Sequence, residues 1–237
     1  MLRKEQGELT PDEYPSTIRK YLQGMMPHPE SIGRSGAQVL RFGNVFLKID
    51  AKGTLARAAK LQEYFHAKRL SAPLTAYEQE GGMDYLLVQA VQGACACSAQ
   101  MLEKPRELAD VLGETLRMLH KTDAADCPFC DVNERMLAMH RQEHGSAYAG
   151  KVELLQKDVL LHGDCCLPNV FFSQNKFSGL IDLGDAGVGD RHFDLWSAIW
   201  SLEYNLETDV WRDRFLDAYG RDCVDGERLA ICTEIHG

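Results

Sequence analysis

The sequence predicts an α+β fold in two parts, a β-rich front and a mainly helical back. Three observations carry this. Strand-like runs bounded by turn residues crowd the first ninety or so residues, helical periodicity dominates from Pro105 onward, and Gly93 stands between them as a natural hinge. The division gives an N-terminal part over 1–92, a small sheet with one helix, and a C-terminal part over 93–237. A chain of 237 residues is long enough to bury a real core in such an arrangement.

The elements follow in order. Thr10-Pro11-Asp12 is a start signal for a helix over 10–24, with proline near the first turn. Ile32 to Phe42 reads as strand, turn and strand, with Gly33-Arg34-Ser35-Gly36-Ala37 as a small-residue tip. Asn44 to Ile49 is a further strand. Residues 54–69 have Leu55, Ala58, Leu61 and Phe65 on one helical side, and Asp84 to Val91 is a strand bounded by Gly82 and Gly93. Behind the hinge, Pro105 to Lys121 is amphipathic, with Leu108, Val111, Leu112, Thr115, Leu116 and Leu119 at helical spacing. Another helix is expected over 133–144. Val159-Leu160-Leu161 is a short strand leading into His162-Gly163-Asp164. Val170 to Phe172 and Phe177 to Ile181 form a hairpin across Gln174-Asn175-Lys176. Helices are expected from Phe193 to about Tyr204 and from about Asp209 to Ala218.

Composition removes several classes of function. Hydrophobic residues are 45% and charged residues 26%, so neither disorder nor a small disulfide scaffold is expected. Lys+Arg is 26 and Asp+Glu is 35, a net charge of −9, which disfavours nucleic acid and anionic membranes and favours a cationic small partner. There is no apolar run of ~20 residues and no apolar signal core in MLRKEQGELTPDEY, so the cytoplasm is the default expectation. Eight cysteines do not make a disulfide framework in a chain of this size. Cys127-Pro-Phe-Cys130 is the one CxxC pair and has no partner pair at zinc-site spacing, so reduced thiols are the better reading. His140 and His144 lie four apart on an expected helix with no third ligand at motif spacing, which reads as a solvated polar face.

The chemistry concentrates in His162-Gly163-Asp164, Asn169 and Asp182. The expected hairpin between Asn169 and Asp182 folds the chain back so that these two converge. An amide oxygen and a carboxylate are hard donors suited to magnesium, which keeps waters and binds phosphates. Asp164, just upstream, is placed to accept a proton from an attacking hydroxyl. That division of labour belongs to phosphoryl transfer. Each fragment taken singly reads better as a turn or a capped strand end; the ordered set is what points to catalysis. In the front part, the Gly33–Ala37 tip offers backbone N–H groups and the Ser35 hydroxyl to nucleotide phosphates. Lys48 sits in an apolar strand between Leu47 and Ile49, where an ammonium needs an anion. Phe46, on the same strand face, can stack on a base or serve as a core aromatic.

The runs His162-Gly163-Asp164-Cys165-Cys166-Leu167-Pro168-Asn169-Val170, Phe177-Ser178-Gly179-Leu180-Ile181-Asp182-Leu183-Gly184 and Gly189-Asp190-Arg191-x2-Asp194 resemble the aminoglycoside phosphotransferase family, and within it the 3′-phosphotransferases, the kanamycin kinases. The resemblance extends from about Ile32 over nearly the whole remaining chain. It implies a protein-kinase-like two-lobed fold, with a nucleotide-binding N-terminal lobe and a catalytic, substrate-binding C-terminal lobe. It also implies antibiotic resistance through transfer of the γ-phosphoryl group of ATP, or GTP, to an aminoglycoside hydroxyl. By this resemblance Asp164 is the catalytic base, Asn169 and Asp182 hold Mg2+, Lys48 contacts the α- and β-phosphates and Ser35 the terminal ones. Gln89 to Val91 form the hinge that pairs with adenine, and Phe46 stacks on it. Asp194 braces the catalytic loop and His162 orients it.

Three departures mark this chain. The family's Glu that pairs with the strand lysine should fall at Ala58 or Ala59, and neither is acidic; Glu63 is one turn further on. Asp185 stands where close relatives carry Arg. Glu203-Tyr204-Asn205 replaces an acidic pair, leaving Glu203, Asn205 and the late Glu234 as substrate candidates. The chain is also short for the family, with the shortfall expected between Asp131 and Val159. Two other readings stand beside the first: a kinase of the same fold acting on choline or a fructosamine-like compound, and a degenerate nucleotide-binding regulator, suggested by the missing Glu.

Overall fold

The computed structural model describes residues 13–30 and 36–236. Thr10-Pro11-Asp12 and most of the small-residue tip, Ser35 included, lie outside the described residues. The chain divides into two compact units. One comprises residues 1–59 and 73–90, the other residues 60–72 and 91–237.

The first unit is a five-stranded antiparallel sheet with helices. Its elements are α1 (Ser16–Leu22), β1 (His28–Pro29), β2 (Gln38–Phe42), β3 (Val45–Ala51), the first turn of α2 (Ala56–Ala67), β4 (Leu74–Glu80) and β5 (Met83–Gln89). The sheet order is β1-β2-β3-β5-β4. Helix α1 is shorter than the expected 10–24, and β1 precedes the expected start at Ile32. Alternation sorts β3 cleanly. Leu47 and Ile49 are buried on the face that packs with Ile18 and Leu22 of α1, together with Phe42 and Leu87. Phe46 and Lys48 point to the opposite face, directly across from Val88 and Leu86 of β5. On that face Leu55, Ala59 and Leu86 form a second small core, with Ala58 against it. Strand β4 escapes the sequence because Leu74–Glu80 is an edge strand, half-covered on both faces, with no in–out alternation to read.

The second unit holds the rest of α2 and all that follows Ala90: β6 (Ala94–Cys95), α3 (Ala99–Leu102), α4 (Pro105–His120), α5 (Val132–His144), β7 (Val159–Leu161), β8 (Val170–Ser173), β9 (Lys176–Leu180), β10 (Gly187–Gly189), α6 (His192–Leu206), α7 (Arg212–Tyr219) and α8 (Gly226–His236). Its main core runs from Leu61 and Phe65 through Leu108, Leu112 and Leu116 to Leu195, Leu202 and Phe215. Strands β6, β8 and β9 form one small sheet, β7 and β10 a two-stranded ribbon. The hairpin turns at Gln174 and Asn175, both with positive φ. Gly93 has φ +101°, and a side chain there would place its Cβ 2.2 Å from the Phe172 carbonyl oxygen, so this glycine serves a close backbone approach to β8.

Cys95 and Cys97 are joined, a bridge the sequence did not lead us to expect. It spans one intervening residue and ties no distant elements together. Cys127, Cys130, Cys165, Cys166, Cys223 and Cys232 are in no disulfide. Among the described residues no group of three or more His, Cys, Asp or Glu is arranged to hold a metal. His140 is not on a freely solvated face: its Nδ1 lies 3.0 Å from the Ile235 carbonyl of α8 and its ring 4.3 Å from that of His144. No helix among the described residues is long and apolar enough to cross a membrane.

Candidate active site

The second unit presents a loop between β7 and β8 that is fixed almost entirely by buried hydrogen bonds. Strand β7 is buried along its whole length, so the residues after it leave the core at a defined point. His162 is fully buried; its Nε2 lies 2.8 Å from the Ile181 carbonyl, and its Nδ1 accepts the Asp164 N–H at 3.2 Å. One neutral tautomer satisfies both bonds, with the proton on Nε2. The Asp194 carboxylate, buried at the start of α6, accepts the N–H of His162 and of Gly163, each at 2.8 Å. Its Oδ2 also lies 3.2 Å from His120 Nε2. Bracing by Asp194 and orientation by His162, both implied by the resemblance, are therefore present as geometry.

Two serines of α6 continue the clamp. Ser197 Oγ accepts the Cys165 N–H at 3.0 Å and Ser201 Oγ accepts the Leu167 N–H at 2.9 Å. They were not singled out in the sequence. Their signal is an Asp-x2-Ser-x3-Ser spacing that puts three oxygen-bearing side chains along one side of a helix. Gly163 has φ +85°, and a Cβ there would stand 2.2 Å from the Asp185 carbonyl oxygen.

Asp164 emerges from this frame half-buried. Its Oδ2 accepts a hydrogen bond from Asn169 Nδ2 at 3.0 Å, and the same amide nitrogen reaches the Asp164 carbonyl at 2.9 Å. With its nitrogen so committed, Asn169 leaves Oδ1 as the atom that could accept a cation. The β8–β9 hairpin then does what the spacing foretold: Val170 pairs with Leu180, and the Ile181 N–H donates to the Asn169 carbonyl at 3.0 Å. Asn169 and Asp182 thus flank the same end of one hairpin. Asp182 is exposed and has φ +59°, ψ +56°, a left-handed conformation rarely held by a residue other than glycine. Two oxygen donors at one hairpin end, one an amide and one a carboxylate, fit a magnesium ion that completes its shell with waters and phosphate oxygens. Cys165, next to Asp164, is inert: full burial pushes its thiol up, and the charges of Asp194, Cys166 and Asp164 add to this.

The remaining candidates fall as follows. Lys48 and Phe46 share one face of β3, where the Arg41 guanidinium stands 5.7 Å from the Phe46 ring. Gln89 is exposed at the end of β5, and the Ala90 N–H is taken by the Asn44 carbonyl. Val91 belongs to the second unit, where its side chain approaches Gly179. Glu63 is exposed, and Ala59 is buried in the apolar cluster with Leu55 and Leu86. Asp185 meets Arg135 of α5, whose Nη2 lies 2.5 Å from its Oδ1, so a guanidinium does stand beside this position, supplied from another element. Of the substrate candidates, Glu203 pairs with Arg212 Nε at 2.6 Å and Asn205 Nδ2 bonds back to the Ser201 carbonyl at 2.7 Å. Glu234 accepts the Tyr148 hydroxyl at 2.5 Å, and that bond, together with burial, pushes the Tyr148 phenol up to about 12.

Known structures share this architecture. An aminoglycoside-3′-phosphotransferase of type VIII superposes with a TM-score of 0.74 at 24% identity, covering 92% of this chain and 95% of its own. A choline/ethanolamine kinase family protein from Mesorhizobium loti gives 0.63 at 17% identity, covering 92% of this chain and 78% of its own. The fold class is therefore α+β and protein-kinase-like. The phosphotransferase enzyme family model matches residues 33–231. A probable aminoglycoside 3′-phosphotransferase of Lactococcus lactis subsp. lactis is 37% identical over 95% of this chain and 96% of its own length. The aminoglycoside 3′-phosphotransferase of Niallia circulans is 32% identical over 68% of this chain and 70% of its own. The chain belongs to the aminoglycoside phosphotransferase family.

Proposed function

We propose that this chain is an aminoglycoside 3′-phosphotransferase, which moves the γ-phosphoryl group of ATP to a hydroxyl of an aminoglycoside. The observation that carries this is the Asp164–Asn169–Asp182 set on its braced loop and hairpin, in a chain 37% identical over 95% of its length to a probable enzyme of that kind. A relative from Streptomyces rimosus, at 20% identity and a TM-score of 0.66, is described in complex with ADP and streptomycin.

In this reading the Asp164 carboxylate orients the acceptor hydroxyl and takes its proton as the new oxygen–phosphorus bond forms. The bond between the γ-phosphorus and the ADP oxygen breaks in the same displacement. Asn169 Oδ1 and Asp182 would hold Mg2+, which neutralises charge on the phosphates when bound. Asn169 Nδ2 fixes the Asp164 carboxylate and so holds the base still between turnovers. Lys48 would bind nucleotide phosphates, Phe46 would stack on the base, and Ser35, Gln89 and Val91 would complete the nucleotide contacts.

One observation speaks for a second, degenerate nucleotide-binding reading: at the positions where the family resemblance expects an acid, α2 presents Ala58 and buried Ala59. The test separates the two. The protein is incubated with ATP or GTP, magnesium and kanamycin or neomycin, and the antibiotic is weighed by mass spectrometry. A gain of one phosphoryl group is expected; nucleotide binding with no phosphorylated product from any aminoglycoside would favour the degenerate reading.

A further inference from the structure

Helix α6 has two working sides. One is committed to the catalytic loop through Asp194, Ser197 and Ser201. Rotated from it, Trp196, Trp200 and Tyr204 recur every four residues and their rings stack as a ladder. Trp196 and Trp200 are 6.2 Å apart with 16° between planes, and Trp200 and Tyr204 are 5.3 Å apart with 15°. The ladder continues across elements, because the His236 ring of α8 lies 4.3 Å from Trp196 at an angle of 5°. Four parallel rings thus run from the α8 end outward, and exposure rises along the run, from half-buried Trp196 to Trp200 at 37% and Tyr204 at 70%.

This exposure is not left over from core packing. The apolar inner face of α6 is separately filled by Phe193, Leu195, Ala198, Ile199 and Leu202. Large flat aromatics held parallel and open to solvent expose apolar area with no gain to the fold, which is the mark of a binding surface. The ladder also starts beside the loop that carries Asp164, because Trp196 and Trp200 are interleaved on α6 with Asp194, Ser197 and Ser201, whose side chains accept the N–H groups of His162, Gly163, Cys165 and Leu167.

We propose that Trp200 and Tyr204 form an aromatic shelf that stacks on the apolar face of an amino-sugar ring of the acceptor and thereby sets which aminoglycosides are taken. The inference rests on the function proposed above and adds the residues that choose the substrate. A pyranose or aminocyclitol ring offers a face of axial C–H groups that matches a flat ring, and its ammonium groups are attracted to the π-face. The polar candidates on this helix leave this role open: Glu203 is paired with Arg212, and Asn205 is bonded to its own helix.

The test uses the full chain with ATP, magnesium and either kanamycin or neomycin. Trp200→Leu and Tyr204→Leu should each raise the aminoglycoside KM by about three- to tenfold. The kcat and the KM for ATP should stay within about twofold, and Trp200→Phe and Tyr204→Phe should restore most of the loss. Tyr204 is so exposed that its variants will fold; equal melting temperatures check this for Trp200. An unchanged aminoglycoside KM in both leucine variants would overturn the shelf, as would a loss confined to kcat, which would mean that the rings only support the loop. If the wild-type protein makes no phosphorylated product, the proposed function fails, and tryptophan emission then decides the shelf alone. A saturable change on titrating kanamycin that is lost in Trp200→Leu would uphold it, and no change in the wild type would overturn it.

Discussion

Asp194 shows how a single buried carboxylate can define the conformation of the loop that carries Asp164. It accepts two consecutive backbone N–H groups and faces His120, whose other nitrogen lies 2.9 Å from the Tyr219 hydroxyl. All of these groups are buried, so removing the carboxylate strands several polar atoms away from water. Asp194→Ala is expected to cost about 3 kcal/mol of stability, measured by denaturant titration, and a loss under about 0.5 kcal/mol would show that the loop is held otherwise. The positions that converge on this loop were legible: spacing singled out Asp164 and Asn169, the family resemblance pointed to His162 and Asp194, and the four are linked by hydrogen bonds. Ser197, Ser201 and Arg135 were not legible, because their partners lie 32, 34 and 50 positions away and only the fold brings them together.

At the scale of the element, the β8–β9 hairpin does the most for function. It converts a separation of thirteen residues into neighbouring positions, with Asp182 held in a left-handed conformation just beyond the last pair. Asn tolerates that backbone about as well as Asp does, but carries no charge. Asp182→Asn should therefore keep the melting temperature within a few degrees while weakening Mg2+-dependent nucleotide affinity at least tenfold, read by calorimetry with and without magnesium. Unchanged magnesium dependence would remove Asp182 from the metal site. The hairpin was readable because its strands alternate around polar turn residues, and α4 because its apolar stripe is continuous. Helix α8 was overlooked although Asp225 caps it, accepting the N–H of Glu227 and of Arg228. The stripe behind that cap, Arg228, Ile231, Cys232 and Ile235, opens on a charged residue, so its helical spacing was hard to see.

At the scale of the molecule, each unit carries a buried carboxylate that ties its chain together. In the first, Asp84 accepts N–H groups from Gly53 and Leu55 and an amide hydrogen from Gln79. Burial alone would raise its pKa, but these bonds and Tyr77 outweigh it and hold the group below its ordinary value. In the second, burial of Asp190 is likewise outweighed by hydrogen bonds from His192 and the Gln156 N–H. A depressed native pKa contributes stability that is complete above the unfolded value of about 3.9 and is lost as pH falls through the native value. Stability should therefore decline steeply below about pH 4, and Asp84→Asn should be less stable at neutral pH with a shallower acid decline. A variant as acid-sensitive as the wild type would contradict this. In the sequence Asp84 figured only as the start of a strand and Asp190 only within the Gly189-Asp190-Arg191 run, since a buried Asp in a strand and one at a helix start look like surface charges until their partners are known.

The measurement closest to the central claim compares Asp164→Ala with the wild type in single-turnover phosphorylation of kanamycin, alongside nucleotide affinity by calorimetry. If Asp164 is the base that the braced loop presents, the rate should fall by about a thousandfold while nucleotide affinity changes by less than about threefold. A variant that phosphorylates kanamycin at a near-normal rate would contradict the account.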